Sequence, residues 1–282
     1  MRVLFCADGS KISYDSILNF SKYFRDFSTD ILSVSDFSCI PDTLVFEGSR
    51  IVRECIKSSD GIVEFAKDYL ESNSIKVNSQ IKLCGSATDL ILETEKGLIY
   101  DYIVMGSNGK KGIQKWIGSV SQEVASSSLS SVYVSKMRNN CCNVLIAIDD
   151  YETIAPILRN NLNNFNFIDK NIYLLNVYQM PDYLFLEGNI DQNWITDVEL
   201  QLQKTSELIL NRAESLLKEF GLNIKAKSIL KGNPSKVILS YSLSNNIDLI
   251  VASMSSQKKR IFESVSRRVL ENSNADMLIL KS

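Results

Sequence analysis

One glycine-rich segment holds the residues best suited to binding an anion. It begins at Gly106 and Gly109, directly after a short apolar run that ends at Met105. It ends at Gly118-Ser119-Val120, where an amphipathic pattern predicts the start of a helix. Glycine lets backbone N–H groups approach an anion without interference from Cβ, and a helix start adds unpaired N–H groups and a favourable dipole. The chemistry predicted for this segment is therefore phosphate binding.

Side chains near such a site each have a binding role and a structural alternative. Ser119 would cap the helix or donate its hydroxyl to a phosphate. Lys110 and Lys111 would attract the anion or form a solvated pair in the loop. Asp8, in the turn Asp8-Gly9-Ser10 after the first apolar run, would contact a bound ligand or cap the first helix. The residues alone leave these alternatives open.

The composition of the chain restricts its other chemistry. None of the 282 residues is histidine, which excludes Ser-His-Asp and Cys-His catalysis and zinc sites that use imidazole. The six cysteines include no Cys-x-x-Cys pair, and most are expected to be reduced, small core residues. No catalytic residue and no metal ligand is predicted.

Charge and hydropathy narrow the class of protein further. The formal net charge is −2 and basic residues form no cluster, which argues against a nucleic-acid partner. No apolar run approaches the roughly 18–20 residues of a membrane-spanning helix, so no membrane partner is predicted. The first residues read as a strand rather than a signal peptide, because an acidic residue and a turn follow the apolar run at once. We expect a cytoplasmic protein.

The chain carries one pattern of strands and helices twice. Each copy begins with an apolar run that ends in Asp, as a buried parallel strand entering a loop does. The matching segments are RVLFCAD (2–8) with NVLIAID (143–149), IPDTLVFEG (40–48) with MPDYLFLEG (180–188), LCGSATDLIL (83–92) with LKGNPSKVIL (230–239), and YDYIVMGS (100–107) with NIDLIVAS (246–253).

The order of these elements predicts the architecture. Strands that alternate with amphipathic helices form a parallel sheet with helices on both faces. Each half, residues 1–138 and residues 139–282, is therefore predicted to be a five-stranded, doubly wound α/β domain. Ligands of such sheets bind beyond the carboxyl ends of the strands, where the strand order reverses. Asp8, Val34 and Met105 lie at or just beyond predicted strand ends, so we expect them at that edge.

With these residues in these positions, the chain resembles the universal stress protein family over nearly its whole length, once per half. ATP-binding members of the family carry Gly-x2-Gly-x9-Gly-(Ser/Thr) after the fourth strand. Here Gly106-x2-Gly109 is followed by eight residues rather than nine and then by Gly118-Ser119. Asp8-Gly9-Ser10 looks like the family's opening motif, whose acidic residue faces the nucleoside, and Val34 matches the strand end whose backbone meets adenine.

The resemblance implies an adenine-nucleotide alpha-hydrolase-like fold and ATP, or a related adenine nucleotide, bound by the first half. It also implies that the final strands of the two halves, at 132–134 and 278–280, meet about a pseudo-two-fold axis. Such pairing would cover otherwise exposed edges. The implied nucleotide-binding residues are Asp8, Gly9, Ser10, Val34, Met105, Gly106, Gly109, Lys110, Gly118, Ser119 and Val120.

The second half departs from the family pattern. Its matching segment, Ser253 to Val265, is two residues shorter and contains no glycine, and Glu263 stands where Gly118 stood. A carboxylate repels phosphate, and residues with Cβ resist the φ > 0 conformations that a phosphate cradle often uses. We expect that this half has lost triphosphate binding and serves mainly as a structural partner.

The function predicted is a stress-response regulator that binds ATP through its N-terminal repeat. One alternative is a nucleotide-free scaffold that acts through protein contacts. Another is a slow ATPase that uses Mg²⁺ carried by the nucleotide, with Asp8 as a ligand of the metal-bound water. Association of two chains, or with another protein, is left open.

Overall fold

The fold consists of two compact units. The computed structural model describes residues 1–36, 50–107, 117–136, 140–180, 192–254 and 259–281. Unit 1 comprises Met1–Asn139 and Asp276–Lys281, and unit 2 comprises Asn140–Ala275. The repeated segments at 40–48 and 181–188 lie outside the described residues.

Strands and helices alternate along each unit, as the sequence pattern predicts. In chain order the strands are β1 (Arg2–Cys6), β2 (Ser28–Ser35), β3 (Lys76–Cys84), β4 (Tyr102–Gly106), β5 (Ser131–Ser135), β6 (Asn143–Ala147), β7 (Asn171–Tyr178), β8 (Ile224–Lys231), β9 (Leu249–Met254) and β10 (Asp276–Lys281). The helices are α1 (Lys11–Ser21), α2 (Arg50–Ser58), α3 (Asp60–Ser72), α4 (Ala87–Gly97), α5 (Ser119–Ser127), α6 (Tyr151–Leu162), α7 (Gln192–Glu219), α8 (Pro234–Ser244) and α9 (Lys259–Asn272).

Each unit contains a parallel sheet whose strand order reverses once. In unit 1 the order is β3-β2-β1-β4-β5, all parallel, and it reverses between β1 and β4. In unit 2 the order β9-β6-β7-β8 reverses between β6 and β9. These orders confirm the doubly wound α/β fold. They also define one switch point in each unit, between β1 and β4 and between β6 and β9, where a crevice forms beyond the carboxyl ends of the strands.

The last strand of the chain completes the sheet of unit 1. β10 pairs antiparallel with β5, and Leu278 lies opposite Tyr133. The predicted meeting of the two final strands is confirmed, and β5 consequently has a neighbour on both sides.

The core of unit 1 is formed by its central strands and by aromatic residues of α1. Val3, Leu4 and Phe5 of β1 are fully buried, as expected for a strand covered on both faces. Phe20 and Phe24, at the end of α1 and just beyond it, stack on each other with ring centroids 4.1 Å apart. Both also contact the ring of Tyr102 in β4. This packing fixes α1 against β4 and so helps to position the carboxyl end of that strand.

One disulfide bond corrects an expectation from composition. Cys55 in α2 is bonded to Cys84 at the end of β3, with their Cα atoms 5.9 Å apart. Cys6, Cys141 and Cys142 are free, but the first two are half-buried and Cys142 is exposed, so they are not the core residues expected; Cys39 lies outside the described residues. The spacing of the cysteines carried no sign of this bond, because only the packing of α2 beside β3 brings the two thiols together.

The structure shifts one of the sequence matches between the repeats. The N–H of Asp101 donates to the carbonyl of Arg2, and the N–H of Asp248 donates to the carbonyl of Asn143. Because Arg2 and Asn143 begin equivalent strands, Asp101 is equivalent to Asp248. The match of 100–107 with 246–253 was therefore wrong by one residue, and Ser253 occupies the position of Gly106.

Candidate functional site

A cavity of about 630 Å³ opens at the carboxyl ends of β1, β2 and β4 in unit 1. It lies where the strand order reverses, which is the position predicted for a ligand site. Residues of β1, β2, α4, β4 and the start of α5 line it: Cys6, Ala7, Asp8, Leu32, Val34, Asp36, Ala87, Ile91, Met105, Gly106, Gly118, Ser119, Val120 and Ser121. We call it the first cavity.

The structure brings most of the predicted site residues to this cavity. Asp8, Val34, Met105, Gly106, Gly118, Ser119 and Val120 all line it. Gly9 and Ser10 form the adjacent turn and are not part of the lining. Gly109 and Lys110, like Lys111, lie outside the described residues.

The turn after β1 holds Asp8 beside the cavity. One carboxylate oxygen of Asp8 accepts a hydrogen bond of 2.8 Å from the N–H of Ser10. The intervening Gly9 has φ of 80°, a left-handed conformation that glycine adopts without strain. The hydroxyl oxygen of Ser10 accepts from the N–H of Ser13, so Ser10 is the N-cap of α1. The alternative in which Asp8 caps this helix is therefore wrong.

Gly106 is glycine because α1 approaches it closely. A Cβ at this position would lie 3.0 Å from the backbone N of Ser13 and 3.1 Å from the carbonyl carbon of Ile12. The carbonyl of Gly106 accepts a hydrogen bond of 2.8 Å from the hydroxyl of Ser121 in α5. This residue thus joins the starts of two helices to the end of β4.

The N-terminus of α5 faces the cavity with backbone donors that have no intrahelical acceptor. Gly118 is the N-cap residue and Ser119 the first residue of the helix, so the alternative in which Ser119 caps it is wrong. The N–H of Gly118 donates to the carbonyl of Ser107 at 2.6 Å and is not available to a ligand. The N–H groups of Ser119, Val120 and Ser121 belong to the first turn, where no intrahelical acceptor exists. These donors and the helix dipole favour an anion at this point.

The rest of the lining is mostly apolar. Leu32 and Val34 contribute one wall from β2, and Ala87 and Ile91 contribute another from α4. The spacing of four places Ala87 and Ile91 on one face of their helix. Such walls suit a flat ring, with polar contacts confined to the rim.

The ionisable groups in the described part of the lining are two carboxyls and one thiol. Asp8 and Asp36 bring negative charge to the rim. Burial, reinforced by the nearby Asp8 carboxylate, raises the pKa of the Cys6 thiol well above its usual range. This direction favours the neutral thiol form of Cys6 at physiological pH. Among the described residues, no group of three or more His, Cys, Asp or Glu side chains is placed to hold a metal ion.

Several lining residues carried no chemical signal in the sequence. Ala87 and Ile91 read as ordinary helix residues, and only the packing of α4 over the sheet brings them to the cavity. Ser121 lies two residues after the Gly118-Ser119 pair, so its place in the first turn of the predicted helix was the one available signal. No helix in the described parts of the chain is long and apolar enough to cross a membrane.

The chain belongs to the universal stress protein family. The model of this family matches residues 1–136 and matches again at residues 143–281. The protein is therefore a tandem form with two copies of the family domain, and the predicted family membership is confirmed.

Two solved structures show the same fold over 99% of this chain. A universal stress protein from Archaeoglobus fulgidus DSM 4304 is 18% identical to this chain, with a TM-score of 0.69. The match covers 99% of this chain and 96% of the Archaeoglobus chain. A functionally unknown protein from Pseudomonas aeruginosa PAO1 is 10% identical over 99% of this chain and 92% of its own, with a TM-score of 0.64. A universal stress protein solved in complex with cAMP matches 48% of this chain and 96% of its own at 20% identity, with a TM-score of 0.36. A comparison with curated protein sequences gave no match.

Proposed function

We propose that the first repeat binds ATP or a related adenine nucleotide, and that the protein is a cytoplasmic stress-response regulator. The observation that carries the proposal is the first cavity, which combines apolar walls with the open N-terminus of α5. A flat base requires the walls, and a phosphate chain requires the backbone donors. Both lie at the edge where doubly wound sheets bind their ligands.

Each part of the nucleotide has a proposed contact in the first cavity. The base lies between the wall from β2, which includes Val34, and the wall from α4, which includes Ile91. The ribose hydroxyls donate to the Asp8 carboxylate, which the turn holds at the rim. The phosphates accept from the N–H groups of Ser119 and Val120 and from the Ser119 hydroxyl.

Two residues of the family motif take different roles in this proposal. The N–H of Gly118 already donates to Ser107, so Gly118 shapes the helix start rather than contacting phosphate. Gly106 admits α1 to the end of β4. The loop that contains Gly109 and Lys110 would supply the remaining phosphate contacts.

The test is the nucleotide content and ATP affinity of two matched variants. Val34→Trp fills the first cavity, and Val177→Trp in unit 2 is its control. The N–H of Ala7 donates to the carbonyl of Leu32 and that of Ile148 to the carbonyl of Leu175, so Val34 and Val177, each two residues further along, are equivalent. We expect denatured wild-type protein to release about one adenine nucleotide per chain, identified by mass spectrometry. ATP added to nucleotide-free wild-type protein at a hundredfold excess over its dissociation constant should stabilise it by about 2.7 kcal/mol.

Val34→Trp should remove both the released nucleotide and the stabilisation, whereas Val177→Trp should keep both. A wild-type chain without nucleotide and without stabilisation by ATP would contradict the proposal and favour the scaffold function. Steady formation of ADP that Asp8→Ala abolishes would favour the slow ATPase instead.

A further inference from the structure

The disulfide bond between Cys55 and Cys84 is the main anchor of helix α2. All nine residues of α2 are described, and Cys55 is the only one of them that is buried. Its sulfur is bonded to Cys84, the last residue of β3. An isolated helix of this length is at best marginally stable in water. The position of α2 therefore depends on this bond.

Hydrogen bonds around the disulfide meet at Ser35, the last residue of β2. The Ser35 hydroxyl is hydrogen-bonded to the hydroxyl of Ser58, at the end of α2, at 2.6 Å and to that of Ser59 at 2.8 Å. The Ser35 carbonyl accepts from the N–H of Gly85, the residue that follows Cys84. Ser35 thus joins the end of α2 to the turn between β3 and α4.

This junction lies beside two walls of the first cavity. Val34 and Asp36 flank Ser35 in the chain, and both line the cavity. Ala87, at the start of α4, lies three residues after Cys84 and lines it as well. A wall that is already held in place costs less to order when a ligand binds, which increases affinity. The disulfide is therefore placed to influence binding without contacting the ligand.

Unit 2 links the equivalent elements without thiols. The N–H of Gly232 donates to the carbonyl at the end of β7, as that of Gly85 does at the end of β2, so the preceding Lys231 takes the place of Cys84. Lys231 donates to both carboxylate oxygens of Glu199 in α7 at 2.9 Å. An ion pair does not respond to a reductant. Of these two equivalent links, reduction can break the one in unit 1.

We propose that the Cys55–Cys84 bond is a thiol–disulfide switch that acts on the first cavity. The oxidised form holds α2 and the neighbouring walls in place, and reduction by a dithiol releases α2 and weakens nucleotide binding. Disulfides in cytoplasmic proteins are usually transient and redox-sensing. The effect on the nucleotide rests on the function proposed for the first repeat, whereas the release of α2 does not.

Burial determines which sulfur the reductant attacks. Cys55 is fully buried and Cys84 is half-buried, so a thiolate of the dithiol attacks the sulfur of Cys84. Cys55 leaves as a thiolate and takes up a proton. The second thiolate of the dithiol then attacks the mixed disulfide and displaces Cys84, which also takes up a proton. The protein gains two electrons and two protons, and the dithiol becomes a disulfide.

Hydrogen exchange of the full-length protein, measured by mass spectrometry with and without dithiothreitol, tests the release of α2. Residues 50–58 should lose protection on reduction, whereas α7 of unit 2 should keep it. The double variant Cys55→Ala/Cys84→Ala should resemble the reduced wild type and should not respond to dithiothreitol. Brief treatment of the oxidised wild type with glutathione, followed by an acid quench, should leave glutathione on Cys84 and not on Cys55.

The affinity for ATP tests the effect on the first cavity. Reduction of nucleotide-free protein should raise the dissociation constant of ATP by about fivefold or more, the lower end of typical coupling between two sites. Because such coupling is reciprocal, bound ATP should shift the equilibrium with oxidised and reduced dithiothreitol towards the protein disulfide by the same factor. Cys142→Ser, at an exposed free cysteine, is the control and should keep both effects.

Two results would overturn the proposal. One is unchanged exchange of residues 50–58 on reduction, and the other is equal ATP affinity of the oxidised and reduced forms in a protein that binds ATP. Failure of the function proposed for the first repeat gives a different pattern, because ATP would then bind neither form. In that case the exchange of α2 would still decide whether the bond is a switch.

Discussion

Gly106 shows that a residue of a binding motif can be required by packing. Its Cβ would approach backbone atoms of α1 to 3.0 Å, and backbone cannot move aside as a flexible side chain does. We expect Gly106→Ala to lower the free energy of unfolding by about 1–3 kcal/mol, measured by urea denaturation.

Gly61 is the matched control for this substitution. It lies in α3, and a Cβ there would meet no atom within 4 Å. Gly61→Ala should leave the stability unchanged or raise it by up to about 1 kcal/mol, because alanine favours the helix. Equal losses in both variants would contradict the packing explanation for Gly106.

At the scale of single residues, the cavity residues at strand ends were predictable from the sequence, and the cavity residues on helix α4 were not. Asp8 and Val34 were predicted at the site because an apolar run that ends in a turn marks a strand end in the sequence itself. Ala87 and Ile91 have no such mark. The hydrogen bond from Gly118 to Ser107 was also unpredictable, since it depends on the path of the chain between them.

At the scale of elements, the disulfide bond between Cys55 and Cys84 links a helix to a strand close to the first cavity. Cys84 ends β3, three residues before Ala87 of the cavity lining. The two cysteines are 29 residues apart in the chain, so reduction of the bond should lower the free energy of unfolding by about 3.6 kcal/mol in the chain-entropy model.

Thermal unfolding with and without a strong reductant measures this contribution. Cys84→Ser should melt lower than the wild type without reductant and should not respond to its addition. Cys142→Ser, at an exposed free cysteine, is the control and should behave as the wild type does. A wild-type melting temperature that reductant leaves unchanged would contradict this contribution.

At the scale of the whole molecule, a buried carboxyl lies where the end of the chain joins unit 1. Asp276 begins β10, and its carboxylate accepts from the Tyr133 hydroxyl at 2.5 Å and from the N–H of Lys136 at 2.6 Å. Burial outweighs these hydrogen bonds and raises the pKa of Asp276 from 3.8 to about 6. Folding therefore favours the protonated form of this group.

The sign of the pH dependence follows from that direction. Because the folded pKa is raised, the stability from this group is complete below about pH 4 and is lost as the pH rises through about 6. The loss is about 3 kcal/mol, since a tenfold difference in proton affinity between the folded and unfolded states corresponds to about 1.4 kcal/mol. We would measure the free energy of unfolding by urea denaturation at several pH values from about 4 to 7. It should fall more steeply with rising pH in the wild type than in Asp276→Asn. Parallel pH profiles for the two proteins would contradict the assignment.

The sequence by itself determined the repeated α/β pattern, the family and the place in unit 1 at which the first cavity opens. These features depend on local order: apolar runs, helical spacing and turns recur along the chain wherever the fold requires them. Tertiary structure alone decided which helices line the first cavity, which cysteines pair, and that Ser253 rather than its neighbour takes the place of Gly106. Such features depend on contacts between segments far apart in the chain, and no local pattern records the distance between them.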